Sequence, residues 1–518
     1  MRRITVFDTT LRDGDQAAGF AFSQNEKPPL ALALAEAGVD IVEAGFPFSS
    51  DADFYACRET AAVLRGSSAK AAMMCRAKST EIRGTANLLG ESGILHLTLP
   101  VSDAHLAAAG KLSHLQLLEQ AVKAVTFAAG LSFAVEAGAE DATRADLNFL
   151  CDYCEAVIAA GATVVNIADT LGILAPPQMK TLIQTLRTRV SGFEQAGLSV
   201  HCHNDFGLAS ANTLAAVEAG CNQVEATVGG LGERAGNAAL EEIAVNLASH
   251  PETYRAATGI RLERLADLTT AFCRSAGISL GPLKPLTGWN VHAHASGIHQ
   301  RGAAVSEDNY SPESARISGR APERIVLSRH SGKAGVRLAA EQYGLGEITD
   351  DEAERILEQI KQSGKRTVGA TEFYHLAAEF LPLPSGVPQP VCCLAYSEYH
   401  YDQYSRVMAT LSDNRTVVGE GLTAEKAVVD AARKCSGSGC DFDLSLSRME
   451  LNGRDGHYRL YAEITISDEP PAAAERSGAI PGRLLFECCL DAINRFRQLK
   501  SMLLCRNAKL LPTHREEK

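Results

Sequence analysis

His201-Cys202-His203-Asn204-Asp205 carries the residue types and spacing best suited to chemistry in this chain. It follows Leu198-Ser199-Val200, which reads as a short buried strand. Alternate residues of a strand project from one face, so His201 and His203 point together while Cys202 points away. Two imidazoles at one strand end can share a divalent cation; the plainer reading is a hydrogen-bonded pair of core histidines. Two further polar stretches also follow apolar runs. They are Asp8-Thr9-Thr10-Leu11-Arg12-Asp13-Gly14-Asp15-Gln16 and Gly229-Gly230-Leu231-Gly232-Glu233-Arg234-Ala235-Gly236-Asn237.

The elements that must position these residues alternate along the first half of the chain. Short β-like runs stand at 4–7, 41–44, 70–75, 94–99, 132–135, 163–167, 198–200 and 223–227. Between them lie Ala/Leu/Glu-rich stretches of helical period, such as 26–37, 115–129 and 209–219. Gly38, Gly130, Gly161 and Gly220 each stand at a helix end, where a left-handed cap suits glycine. Eight β-then-α units within 1–255 predict an α/β fold, a (β/α)8 TIM barrel, rather than a doubly wound open sheet. Polar residues recur at the C-terminal strand ends: Asp8 to Gln16 after strand one, and Glu43 on strand two. His96 and Ser102-Asp103 belong to strand four, Glu140-Asp141 follow strand five, and Asp169-Thr170 end strand six. The His pair ends strand seven and the Gly-rich run follows strand eight. A barrel gathers all these ends on one face, which turns the His pair from a core feature into a metal site.

Composition is that of a soluble globular protein. The chain has 518 residues, 46% hydrophobic and 22% charged, enough for two or three domains. A net charge of −12 without a long basic run argues against nucleic acid or an anionic membrane as partner. Met1-Arg2-Arg3-Ile4-Thr5-Val6 runs into a strand pattern instead of a signal peptide, and no stretch suits a membrane span. The fourteen cysteines are scattered or adjacent, and Cys151-x-x-Cys154 lies within a helical pattern. They read as reduced thiols of a cytoplasmic protein.

Four motifs in order carry a family resemblance. Phe-Asp-Thr-Thr-Leu-Arg-Asp-Gly-Asp-Gln at 7–16, the His-x-His-Asn-Asp of strand seven, Gly-Leu-Gly-Glu-Arg-Ala-Gly-Asn at 230–237 and His-Ala-Ser-Gly-Ile-His-Gln-Arg-Gly at 294–302 resemble the isopropylmalate, homocitrate and citramalate synthases. The likeness runs to about residue 344. These are metal-dependent barrels that condense acetyl-CoA with a 2-oxo acid. The resemblance implies Asp13, His201 and His203 as ligands of a divalent ion (Mg, Mn or Zn), with Asn237 as a fourth contact. Arg12 would bind the oxo-acid carboxylate and polarise its carbonyl; Thr170 and His96 would line the substrate site. Glu140 would be a catalytic or substrate-orienting group, and His294 and Tyr310 would reach into an active site, that of the partner in a homodimer. Three departures stand out: Lys27-Pro28-Pro29 at the start of helix one, Arg301 where the family has an acidic residue, and Gly138 where relatives carry a hydroxyl.

The chemistry explains the residue types. A 2-oxo acid chelates a cation through two oxygens, so the protein supplies about three ligands and leaves positions open. Two imidazoles and a carboxylate leave positive charge on the ion for Lewis-acid polarisation, while a cation such as Arg12 stabilises the alkoxide. No Walker-type or G-x-G-x-x-G loop is present. A barrel that has lost catalysis and acts as a binding subunit is the non-enzymatic alternative. Stability has no need of Arg12, Asp13, His201, His203 and Glu140 together, which favours an enzyme. A lyase of related barrels would share the metal set but gives no reason for the 294–310 segment.

The expected domains are a catalytic barrel over 1–255, a helical region over 256–381 that completes the active site, and a regulatory or dimerisation-like domain over 391–508. Leu381-Pro382-Leu383-Pro384-Ser385-Gly386-Val387-Pro388-Gln389-Pro390 reads as a linker. Helices are expected at 262–276, after Arg329-His330-Ser331-Gly332-Lys333, and at 349–361. Strands at 391–396, 406–411 and 458–466 with helices at 424–434 and 484–504 make a small α/β module; in isopropylmalate synthases such a module resembles the domain that binds the end-product amino acid. Gly419-Glu420-Gly421-Leu422-Thr423-Ala424 loosely follows that domain's glycine turn. For the substrate, Leu97, Leu99, Ala137, Gly138 and Ala139 suggest an apolar end wall, hence 2-oxoisovalerate and 2-isopropylmalate. Homocitrate synthesis from 2-oxoglutarate and citramalate synthesis from pyruvate are the alternatives.

Overall fold

The computed structural model describes residues 1–110 and 112–278. Beyond them it describes 280–281, 283–288, 290–292, 294, 296, 298–299, 302, 309, 317–319, 327–328, 331–342, 345, 347–362, 368, 373, 376–377, 393–400, 405–411, 415–435, 444–454, 457–466, 472–478, 482–490 and 493. Two compact units divide the chain: Met1–Val291 with Glu313–Ala321, and His292–Pro312 with Pro322–Lys518.

In the first unit eight parallel strands close into a barrel. They are β1 (Thr5–Asp8), β2 (Ile41–Glu43), β3 (Lys70–Cys75), β4 (Ile94–Pro100), β5 (Ala134–Glu140), β6 (Val164–Asp169), β7 (Gly197–Cys202) and β8 (Gln223–Ala226). Strand β1 closes the ring, with Phe7 opposite Ile41 on one side and Val6 opposite Val224 on the other. Helices follow the strands as the periodicity predicts. The first, Lys27–Glu36, takes its two prolines in the opening turn, where a missing N–H costs no helical bond. Gly38, Gly161 and Gly220 do adopt positive φ, but Gly130 is right-handed and Ser132, at φ 65°, makes the left-handed turn instead.

Strand alternation splits the barrel into two chemistries. Val42, Met73, Leu95, Leu97, Leu99, Val135, Ala137, Ala139, Ile167 and Val200 join Leu30, Leu34, Leu64, Ile82 and Leu89 of the helices in the main apolar core. The opposite faces point inward. Phe7, Ile41, Ala72 and Ile94 form a small separate apolar cluster, and Glu43, His96, Glu136, Asn166, Ser199, Gln223 and Glu225 are all buried as well. Two expectations change here. Strand five, expected to end at 135 and be followed by Glu140, runs through Glu140 itself, held by β4 through pairs as far as Pro100 and Glu140. Leu97, Leu99, Ala137 and Ala139 face the helices, so they cannot form an apolar wall in the barrel mouth.

The second unit has an apolar cluster around helices Lys333–Gln342 and Asp350–Gln362. Further on, three antiparallel strands (Cys393–His400, Ser405–Leu411, Thr416–Gly421) precede a helix at Ala424–Lys434. Three more (Leu444–Arg454, His457–Ile466, Ala472–Gly478) precede helical residues 482–490, so a βββα pattern occurs twice. Gly419 and Gly421 lie in a strand rather than a turn, on one face. A Cβ at Gly419 would stand 2.1 Å from the Ala427 carbonyl oxygen, so the helix rests on bare backbone.

Candidate active site

Asp13 follows β1, and His201 and His203 stand on and just beyond the end of β7. All three are buried, with ligand atoms within 4.8 Å of one another. The His201 and His203 Nε2 atoms are 3.2 Å apart, and His201 Nε2 is 3.9 Å from Asp13 Oδ2. As the alternation requires, Cys202 joins the outer apolar core. The loop after β8 folds back to pair Asn237 with His203. Asn237 Nδ2 donates to Asp13 Oδ1 at 2.8 Å and to the Leu231 carbonyl at 3.0 Å.

The donor set fits a cation. Among the described residues Asn237 Oδ1 and His203 Nδ1 are buried without a hydrogen-bond partner, a cost that a cation bound to the oxygen would relieve. Burial, then the neighbouring His201, pushes His203 down to about 4, so its imidazole is neutral and able to bind metal. Burial opposes ionisation of Asp13, but Arg12 and both histidines outweigh it and hold the carboxyl below its ordinary value. Glu225 Oε2 lies 2.7 Å from His201 Nδ1, and a proton on Nδ1 leaves Nε2 with its lone pair toward the centre.

Arg12 is the hub of the adjoining pocket. Its Nε donates to Glu43 Oε2 at 2.7 Å and its Nη1 to Asp13 Oδ2 at 2.5 Å. Burial disfavours its charge, yet Glu43, Asp13 and Glu225 together raise its pKa further. His96 Nδ1 meets Glu43 Oε1 at 2.7 Å, and its Nε2 is 4.0 Å from Glu225 Oε1. Burial would lower His96, but Glu43 and Glu225 carry it up to about 9. Gly138 leaves room beside it: a Cβ there would be 3.2 Å from His96 Nε2 and 3.0 Å from Thr98 Oγ1.

Glu140 and Thr170 belong to a neighbouring cluster. Glu140 Oε1 lies 2.9 Å from His105 Nδ1. The Thr170 hydroxyl accepts the Asp141 N–H at 2.8 Å, and its carbonyl accepts from Arg234. His294 belongs to the second unit, partly buried, its ring edge-on to His299 at 6.1 Å. Tyr310 lies outside the described residues.

Motif reading missed the buried acids behind the site, Glu136 and Glu225, and noted Glu43 without a role. Their signal is one charged residue inside each apolar run: Ile41-Val42-Glu43, Val135-Glu136-Ala137 and Gln223-Val224-Glu225. A buried carboxylate in a strand needs a partner, and each has one. Glu136 receives Gln223 Nε2 at 2.8 and 2.9 Å, and Glu225 receives Asn166 Nδ2 at 2.6 Å.

The family described as HMGL-like matches residues 3–271, and the one described as homocitrate synthase post-HMGL domain-like matches 286–368. The 2-isopropylmalate synthase of Pyrococcus furiosus is 40% identical over 371 residues, covering 72% of this chain and 74% of the relative. That of Nitrosococcus oceani is 39% identical over 360 residues, 70% of each. Among solved structures, the HMG-CoA lyase of Brucella melitensis is similar at 18% identity and a TM-score of 0.47, over 53% of this chain and 99% of that one. With the matched region spanning the whole barrel, the chain belongs to the HMGL-like family, in its isopropylmalate/homocitrate/citramalate synthase branch, and is a 2-isopropylmalate synthase-like acyltransferase.

Proposed function

We propose that this enzyme condenses acetyl-CoA with 2-oxoisovalerate and releases CoA by hydrolysis of the thioester, forming 2-isopropylmalate for leucine synthesis in the cytoplasm. The observation that carries the reading is the buried Asp13–His201–His203 cluster with Arg12 directly beside it. Asp13, His201 and His203, with Asn237, would hold Mg, Mn or Zn, which when bound supplies Lewis-acid polarisation of the oxo-acid carbonyl. Arg12 binds the substrate carboxylate and stabilises the charge that develops on the former carbonyl oxygen. Thr170 donates to the same carboxylate. Glu140 orients the reactants where a weakly acidic methyl proton must be removed. His294 and Tyr310 complete the site of the other subunit in a homodimer.

The support for a neutral substrate side chain is charge compensation. His96 is matched at 2.7 Å by Glu43, with Glu225 at 4.0 Å. A distal carboxylate would therefore add a further buried anion to a pocket already rich in them, a cost of roughly several kcal/mol. The polar pair of Thr98 and His96 beside Gly138 favours the second reading, 2-oxoglutarate and homocitrate. Acetyl-CoA-dependent thiol release with 2-oxoisovalerate, 2-oxoglutarate and pyruvate tests both. A kcat/KM preference for 2-oxoglutarate overturns the first choice. The C-terminal module is proposed to bind an amino-acid effector; an enzyme insensitive to leucine, isoleucine and lysine would leave it a structural role.

A further inference from the structure

His105 stands between two carboxylates at the mouth of the barrel. It lies on the short helix Asp103–Ala108, which Ser102 caps by accepting the His105 N–H. Its Nδ1 is 2.9 Å from Glu140 Oε1, and its Nε2 is 3.6 Å from Asp141 Oδ2. Both His105 and Glu140 keep access to solvent, with side chains 27% and 38% exposed, whereas Asp141 is wholly buried. Asp141 is fixed from several sides. The Ser102 hydroxyl and the Arg144 guanidinium donate to its carboxylate, and its N–H donates to Thr170. It also holds φ 60°, ψ 34°, a left-handed conformation that a non-glycine residue keeps only when its surroundings over-determine it. The remaining charged group on the same helix, Asp103, is engaged by His114.

We propose that His105 is the positioning residue of Glu140: Asp141, locked in place, aims the imidazole, and Nδ1 holds the Glu140 carboxylate in its working orientation. Glu140 ends β5 with a partly exposed side chain whose one partner among the described residues is His105, so without the imidazole it has several rotamers to choose from. This inference rests on the reading that Glu140 works in the condensing site.

The test uses the full-length enzyme in the thiol-release assay with 2-oxoisovalerate. His105→Ala should lower kcat by about 10–100-fold, the scale expected for a misplaced reacting group, with KM for the 2-oxo acid and metal affinity unchanged. His105→Asn places an amide nitrogen near the Nδ1 position and should recover most of kcat; His105→Gln reaches toward the Nε2 position and should not. In a Glu140→Gln background His105→Ala should cost nothing more. Wild-type kcat in His105→Ala, equal rates in the Asn and Gln variants, or losses that multiply in the double variant overturn the proposal. The Asn–Gln comparison decides even if the Ala variant fails to fold. If Glu140→Gln alone keeps full kcat, the assignment of Glu140 to the site is what fails.

Discussion

Glu225 shows how much of the candidate metal centre lies behind its proposed ligands. One oxygen faces His201 Nδ1 and the other receives Asn166, so the carboxylate fixes the tautomer and the ring orientation of a candidate ligand. Glu225→Gln should therefore weaken metal binding by about 10–100-fold while Asp13, His203 and the fold remain, measured by competition with a chromophoric chelator. Loss of a ligand itself is more severe. Asp13→Ala or His201→Ala should abolish both metal binding and turnover with the circular dichroism of the barrel retained, and a chelator should inactivate the wild type reversibly. Full turnover by metal-stripped protein would contradict the assignment.

At the scale of the strands, buried titrating groups on β1, β4 and β5 govern pH dependence. Burial raises Asp8 to about 7 and Glu136 to about 8, and Glu43 outweighs burial to carry His96 to about 9. Their ordinary values are 3.8, 4.5 and 6.5, so above pH 6.5 the unfolded chain has released protons that the native protein keeps. Stability of the metal-free protein should then fall as pH rises from 6.5 to 9, by on the order of a few kcal/mol. Glu136→Gln removes one of these titrations while keeping an acceptor for Gln223, so its urea midpoints between pH 6.5 and 9 should trace a shallower line. A slope equal to wild type would show that Glu136 does not hold a proton there. The loop after β8 makes a different demand. A Cβ at Gly232 would fall 2.2 Å from Asn237 Nδ2 and 3.2 Å from Asp13 Oδ1. Gly232→Ala should accordingly reduce metal affinity far more than it lowers the thermal midpoint.

The whole molecule combines a barrel with a C-terminal region that carries its own apolar core. Val407, Leu411, Val428, Ala431 and Phe486 are buried together there, separate from the core of the barrel. Gly419→Val drives a side chain into the backbone of Ala427 and Ala431 and should unfold this module alone. The expected result is rapid proteolysis C-terminal to the Pro-rich segment at 382–390, unchanged metal affinity in the barrel and, if the module binds an effector, loss of amino-acid inhibition. Loss of metal binding in that variant would show that the barrel depends on the module. Among the described residues no helix is long and apolar enough to cross a membrane.

Local alternation and period were enough to read much of this from sequence. Eight apolar runs separated by helical stretches correspond to the eight strands of the closed barrel, and the i, i+2 spacing of His201 and His203 put both rings on one side. The start of the helix at Lys27 was legible because proline fits a first turn. Other features had no local signal. Ala137-Gly138-Ala139 has little β propensity, and it is pairing with β4 that makes it strand. The inward face of β4 could be His96 and Thr98 or Leu97 and Leu99; the closed ring chose the polar pair, with Leu97 and Leu99 packed in the helix-facing core and Glu43 supplied by β2 as partner to His96. In the second unit Thr416–Gly421, Leu444–Arg454 and Ala472–Gly478, strands not expected from the sequence, likewise owe their identity to pairing with neighbours. The residues of the site were written in the sequence as types and spacings, but their meeting was not. Asp13 and Asn237 are 224 positions apart, and only barrel closure, which brings β8 back beside β1, sets one against the other.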